Sequence, residues 1–69
     1  MIAILGGGES GVGAALLAKK KGLVPFVSDF GKIKDKYKKV LEENEIEWEE
    51  GKHSVERILE ADEVIKSPG

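Results

Sequence analysis

The sequence predicts an α/β fold built on an all-parallel sheet, with elements in the order β-α-β-α-β-α-β. Three observations carry that prediction. Short apolar runs alternate with longer blocks whose apolar residues recur at helical spacing, the pattern of strand–helix crossover units. The first run, Ile2-Ala3-Ile4-Leu5, is continuous rather than alternating, as in a strand buried on both faces. Each run or block ends at Gly, Ser, Asp or Pro, the residues that break regular structure.

The first strand ends at Gly6-Gly7-Gly8. Ser10 is the expected N-cap of the first helix, its hydroxyl accepting an orphan N–H of the first turn. Val12, Ala15, Leu16, Leu17 and Ala18 form that helix's apolar block. Lys19, Lys20 and Lys21 follow in its last turn, where cations offset the negative end of the helix dipole. Gly22 is the left-handed stop. Val24-Pro25-Phe26-Val27 is a second strand closed by Ser28-Asp29. Pro25 lacks an N–H and so belongs among its first residues.

Ile33, Tyr37, Val40, Leu41 and Asn44 recur along one face of an amphipathic second helix. Ile46 and Trp48 alternate with Glu45, Glu47 and Glu49, which predicts a half-buried edge strand whose charges discourage intermolecular pairing. Gly51-Lys52-His53 is a loop. Ser54 is the expected cap of a third helix carrying Val55, Ile58 and Leu59, with Glu56 at its positive end. Glu63–Lys66 is the last strand, and Ser67-Pro68-Gly69 breaks it. Right-handed crossovers then give the strand order 3-2-1-4, the first half of a Rossmann-like sheet. The sheet is expected to be incomplete, cut from a larger protein. Its open edge at Glu63–Lys66 is expected to recruit another chain or to stay solvated.

Composition narrows the functions. The chain has 69 residues, 41% hydrophobic and 35% charged. That is a soluble composition of one domain at most, and too short for most complete enzymes. It has no Cys, hence no disulfide and no zinc–thiolate site. A net charge of −2 argues against nucleic acid as the main partner. The charge is uneven: 8 Lys against 3 acids up to Lys39, then 3 basic residues against 10 acids. The basic half suits an anionic ligand or simply solvates helix faces. No apolar run approaches the ~18 residues of a membrane span. The expected location is the cytoplasm.

Gly6-x-Gly8-x-x-Gly11 follows a strand and opens a helix. Gly6 allows the tight turn, Gly8 lets a diphosphate approach the backbone, and Gly11 allows close helix–strand packing. The helix N–H groups and dipole then attract the anion. The alternative is a glycine-rich turn with no ligand. Asp29 closes the second strand, where an acid either binds ribose hydroxyls or caps the turn. Glu9 sits inside the loop, where it repels a diphosphate unless it points away. His53 is the only His, with no partner at ligand spacing, so no metal role is expected. No nucleophile–base pair is present, and no catalytic residue is assigned. Trp48 and Tyr37 read as packing residues.

Several segments together carry a resemblance. They are Ile4-Leu5-Gly6-Gly7-Gly8-Glu9-Ser10-Gly11-Val12-Gly13, Val27-Ser28-Asp29, Glu50-Gly51-Lys52-His53 and Ala61-Asp62-Glu63-Val64-Ile65-Lys66-Ser67-Pro68-Gly69. Over essentially the whole chain the sequence resembles the N-terminal domain of the Mur ligases, above all those that add D-glutamate to UDP-N-acetylmuramoyl-L-alanine in peptidoglycan biosynthesis. The terminal Ser-Pro-Gly is the most particular feature.

The resemblance implies that residues 1–69 hold the UDP moiety of that precursor. It implies that ATP and magnesium bind a separate central domain, and that a C-terminal domain positions D-glutamate. ATP then phosphorylates the precursor's carboxylate, and the amino acid attacks the acyl phosphate to form an amide. By position it implies UDP contacts from Glu9 and Ser10, from Asp29, Phe30 and Gly31, and from Gly51, beside Gly6, Gly8 and Gly11 of the loop. Where many relatives carry a hydroxyl and an Arg after the Asp, this chain has Phe30 and Gly31. Phe30 is then expected against the uracil face, with Lys32 or Lys34 replacing the charge. Two other readings use the same glycines: a fragment of a nicotinamide- or flavin-dependent oxidoreductase, and a regulatory nucleotide-binding module complete at this length.

Overall fold

A computed structural model of the chain describes residues 1–67. Its strands are β1 (Ile2–Leu5), β2 (Pro25–Asp29), β3 (Glu47–Glu50) and β4 (Glu63–Lys66). Between them run α1 (Glu9–Lys20), α2 (Asp35–Glu43) and α3 (Val55–Leu59). The strands form one parallel sheet in the order β3-β2-β1-β4. The α/β class, the element order and the strand order are those expected from the sequence. Pro68 and Gly69, the expected break after β4, lie outside the described residues.

The period-2 alternation of the strands sorts their side chains to two faces. Ile2 and Ile4 of β1 and Val27 of β2 join Val12, Ala15 and Ala18 of α1 and Leu41 of α2 in the main core. Ile4 is paired with Val27, and Val27 with Trp48. Trp48 packs on that core and lies under the Lys38 ammonium, 5.3 Å from the ring centroid. The opposite face carries Ala3, Phe26, Ser28, Glu47 and Glu49. There α3 lays the Arg57 guanidinium 4.3 Å from the Phe26 ring centroid. α1 and α2 thus cover the first face, while the second, where Ala3, Phe26 and Ser28 are buried, meets α3 through Arg57.

Several local expectations are corrected. Ser10 does not cap α1. The helix starts two residues earlier, with Gly8 at the N-cap and the Gly8 carbonyl accepting the Val12 N–H at 2.9 Å. Lys21 is the C-cap rather than a last-turn residue, and Gly22 follows with φ +83°. Ile33 and Asn44 flank α2 rather than belonging to it: Ile33 is buried ahead of the helix, and Asn44 is its exposed C-cap. Ile46 is buried just before β3. Ser54 does occupy the N-cap of α3, but its hydroxyl leaves the helix end and bonds Glu49 instead.

The parallel strands place their C-terminal ends at one edge of the sheet. There the strand order reverses, β2 and β3 lying on one side of β1 and β4 on the other, the switch point at which open α/β sheets bind ligands.

Candidate functional site

A cleft of about 380 Å³ opens at that switch point. Its floor is the Gly6-Gly7-Gly8 loop, continued by Glu9 and Ser10 at the start of α1. Asp29 and Ser67 close it at the ends of β2 and β4, and Lys32, Lys34 and Tyr37 form the far wall.

Backbone constraints shape the loop. Gly6 has φ +116°, a conformation side-chain-bearing residues avoid. A Cβ there would also stand 2.2 Å from the Ser67 hydroxyl oxygen. Gly11 lies beneath the loop, where a Cβ would come within 1.7 Å of the Gly6 carbonyl oxygen. Gly7 is less confined: a Cβ would meet Ile33 Cγ1 at 2.6 Å, a side-chain overlap that a shift of that buried residue would have to relieve. Gly8 faces open space, with nothing within 4 Å of an added Cβ. The glycine left unassigned between the two patterned ones thus packs closely on Ile33, and the patterned Gly8 is open to an approaching ligand.

Asp29 holds this geometry. Its Oδ2 accepts the Gly7 N–H at 2.8 Å, and its Oδ1 accepts the Gly31 N–H at 2.9 Å. Both oxygens are oriented by the protein's own loops rather than projecting freely towards a ribose. Gly31 in turn accepts the Gly51 N–H on its carbonyl at 2.8 Å. Gly31 and Gly51 line neither this cleft nor its neighbour. They tie the loops after β2 and β3 to each other.

A second cavity of about 220 Å³ adjoins the first and shares Gly6, Asp29 and Ser67 with it. Phe30, His53 and Lys66 complete its walls with Leu5. The structure therefore brings together Gly6, Gly8, Glu9, Ser10 and Asp29 at the main cleft and sets Phe30 at the adjoining one. It leaves Gly11, Gly31 and Gly51 behind the lining. Ser67 and Tyr37 were not legible as site residues. Ser67 is read from sequence as a strand-breaker, and Tyr37 as one residue of an apolar helix face. Only the return of β4 beside β1 brings Ser67 N–H to the Leu5 carbonyl, at 2.9 Å, and so to the loop.

Beside the cavities, the glutamates of β3 are all engaged. Glu47 pairs with Arg57 through two bonds of 2.9 Å. Glu50 accepts the Lys38 ammonium at 2.7 Å and the Ile33 N–H at 2.9 Å. Glu49 accepts the Ser54 hydroxyl at 2.5 Å, the Ser54 N–H at 2.7 Å and the Ser28 hydroxyl at 2.8 Å. Burial pushes the Glu49 carboxyl up, but the bonds from Ser54 and Ser28 outweigh it and hold the group below its ordinary 4.5. A carboxyl whose pKa is depressed by folding stabilises the fold above its unfolded value and loses that contribution as pH falls through the folded one. The acid limb of a Tm-against-pH curve is therefore expected to fall more steeply below about pH 4.5 in wild type than in Glu49→Gln. Equal slopes would mean the three bonds do not stabilise the carboxylate.

Among the described residues, no helix is long and apolar enough to cross a membrane, and no group of three or more His, Asp or Glu side chains is placed to hold a metal ion.

Residues 1–69 match the family model described as the MurD N-terminal domain. The chain belongs to that family. It is 65% identical to the UDP-N-acetylmuramoylalanine–D-glutamate ligase of Christiangramia forsetii and 66% identical to that of Bacteroides thetaiotaomicron, in each case over 99% of this chain and 15% of the relative. The Porphyromonas gingivalis ligase is 63% identical over the same shares. The chain thus spans about 15% of the length of these curated relatives.

Proposed function

We propose that this MurD N-terminal domain grips the UDP moiety of UDP-N-acetylmuramoyl-L-alanine for an ATP-dependent ligase that adds D-glutamate during peptidoglycan biosynthesis. The observation that carries the reading is the cleft itself. An open Gly8 backbone at the positive end of α1, faced by Lys32 and Lys34, suits a diphosphate. Glu9 also lines the cleft, and the lysines opposite offset its charge.

The oxidoreductase reading is disfavoured by the match of residues 1–69 to the MurD N-terminal domain and by the ligase relatives.

ATP and magnesium belong elsewhere in such a ligase. An ATP phosphate loop places Lys and Ser or Thr directly after its last glycine, and here Val12-Gly13 follow Gly11. The domain supplies binding and orientation of the precursor, and the phosphoryl-transfer groups lie outside these residues. The 69-residue chain alone is expected to form no amide from ATP, D-glutamate and the precursor. Measurable product from it would place catalytic groups within the domain.

Calorimetric titration with UDP and with NADH tests the reading directly. UDP is expected to bind and NADH not. Binding of NADH without UDP would favour the oxidoreductase.

A further inference from the structure

The cationic wall of the main cleft belongs to a segment that one side chain outside the cleft holds in place. Lys32 and Lys34 line the cleft, and Ile33 stands between them. Ile33 is buried, with its side chain against Gly7. That burial fixes where residue 33 sits. How its backbone is turned is fixed by Glu50, whose Oε1 accepts the Ile33 N–H at 2.9 Å across 17 positions of sequence. With that peptide goes the direction in which Lys32 and Lys34 leave the chain.

The second oxygen of Glu50 reaches further along. Oε2 accepts the Lys38 ammonium at 2.7 Å. Lys34 is the N-cap of α2, and its carbonyl accepts the Tyr37 and Lys38 N–H groups at 2.9 and 3.0 Å. One carboxylate thus grips the chain just before the cap and again one turn into the helix. Between the two grips lie Lys34 and Tyr37, both in the cleft wall. Glu50 itself lines neither cavity. The bonds from Lys38 and Ile33 hold its carboxyl below the ordinary 4.5, so it is a charged acceptor at neutral pH. The Lys38 and Glu50 side chains are 23% and 25% exposed, which shields the pair from part of the solvent screening.

We propose that Glu50 is a positioning residue for anion binding, which aims Lys32 and Lys34 into the cleft by holding the Ile33 N–H and the first turn of α2. The proposal rests on the UDP reading above. Coulomb's law alone predicts the reverse effect for this residue. An acid beside a cationic wall weakens an anion site, and removing it should tighten UDP. A positioning carboxylate predicts a looser site, because a freed segment must be ordered again when the ligand binds.

The test is calorimetric titration of the full natural chain with UDP at neutral pH, with thermal unfolding to show that each variant is folded at the titration temperature. Glu50→Ala is expected to weaken UDP binding about tenfold. Glu50→Gln removes the same charge but keeps an oxygen for the Ile33 N–H, and Lys38 has Asp35 as a second partner 4.0 Å away. It should stay within about threefold of wild type. In a background of Lys32→Ala with Lys34→Ala, the Glu50→Ala change should cost less than about twofold, because the side chains it aims are gone. Should Glu50→Ala not fold, Lys38→Met takes its place, with an expected loss of about threefold that disappears in the same background. Should that background bind too weakly to titrate, the comparison of Glu50→Ala with Glu50→Gln decides. UDP bound by Glu50→Ala as tightly as by wild type, or more tightly, overturns the proposal. So does an equal loss for Glu50→Ala and Glu50→Gln, or a loss that persists undiminished without the two lysines. Wild type that binds no UDP overturns the UDP reading itself.

Discussion

Gly11→Ala is expected to destabilise the domain by at least about 3 kcal/mol and to abolish UDP binding with it. The added methyl would lie 1.7 Å from the Gly6 carbonyl oxygen and 2.8 Å from its carbon. Those are backbone atoms, so no rotamer change relieves the overlap. Either α1 lifts off the sheet or the β1–α1 turn opens. A lifted α1 withdraws Val12, Ala15 and Ala18, which are almost completely buried against β1 and β2. An opened turn breaks the Gly6 N–H bond to the Ser28 carbonyl at 2.7 Å and the Gly7 N–H bond to Asp29. A chain of this length has a total stability of only about 3–10 kcal/mol. The loss should appear in urea or thermal unfolding as a transition shifted far below wild type or as no cooperative transition at all. Wild-type stability for Gly11→Ala would show that the loop yields cheaply and that the close packing is not required.

The glycine loop was legible in sequence because its constraints act on residue type. A position that must adopt φ +116°, or must admit a carbonyl where Cβ would be, is written as glycine and as little else. The same holds for the fold: continuous apolar strands and helical blocks each state their own environment. What stayed illegible depends on partners far away in sequence. Ser54 stands where a helix cap belongs, and only the arrival of β3 supplies the Glu49 carboxylate that takes its hydroxyl. Glu47 and Glu49 read as edge-strand charges, yet each has a partner brought by α3 or its N-cap. Asp29 has both its sequence-level roles in view, a turn cap and a ligand acid. The turn cap is visible locally at Gly31, while the bond to Gly7 spans 22 positions. Gly31 and Gly51, implied as contacts by family position, also join two loops through the bond between them. Their mutual bond could not be read from either segment alone.

Gly8→Ala is the sharpest test of whether the cleft binds a diphosphate, because it separates binding from folding. Gly8 sits at φ −86° and ψ −164°, extended backbone that alanine adopts without strain. Nothing lies within 4 Å of the added Cβ. Stability should therefore stay within about 0.5 kcal/mol of wild type. A diphosphate seated on the N-terminal N–H groups of α1 needs that open space, and the methyl would fill it. UDP affinity should fall by more than about 1.4 kcal/mol, a factor of about ten. Gly13→Ala is the control on the same helix. Its Cβ also meets nothing within 4 Å, and the residue is exposed one turn further along α1. It should leave UDP binding unchanged and raise stability by up to about 1 kcal/mol through helix propensity. Calorimetry with UDP and thermal unfolding of both variants measure the two effects independently. If Gly8→Ala binds UDP as wild type does, the loop is a structural turn and the diphosphate sits elsewhere.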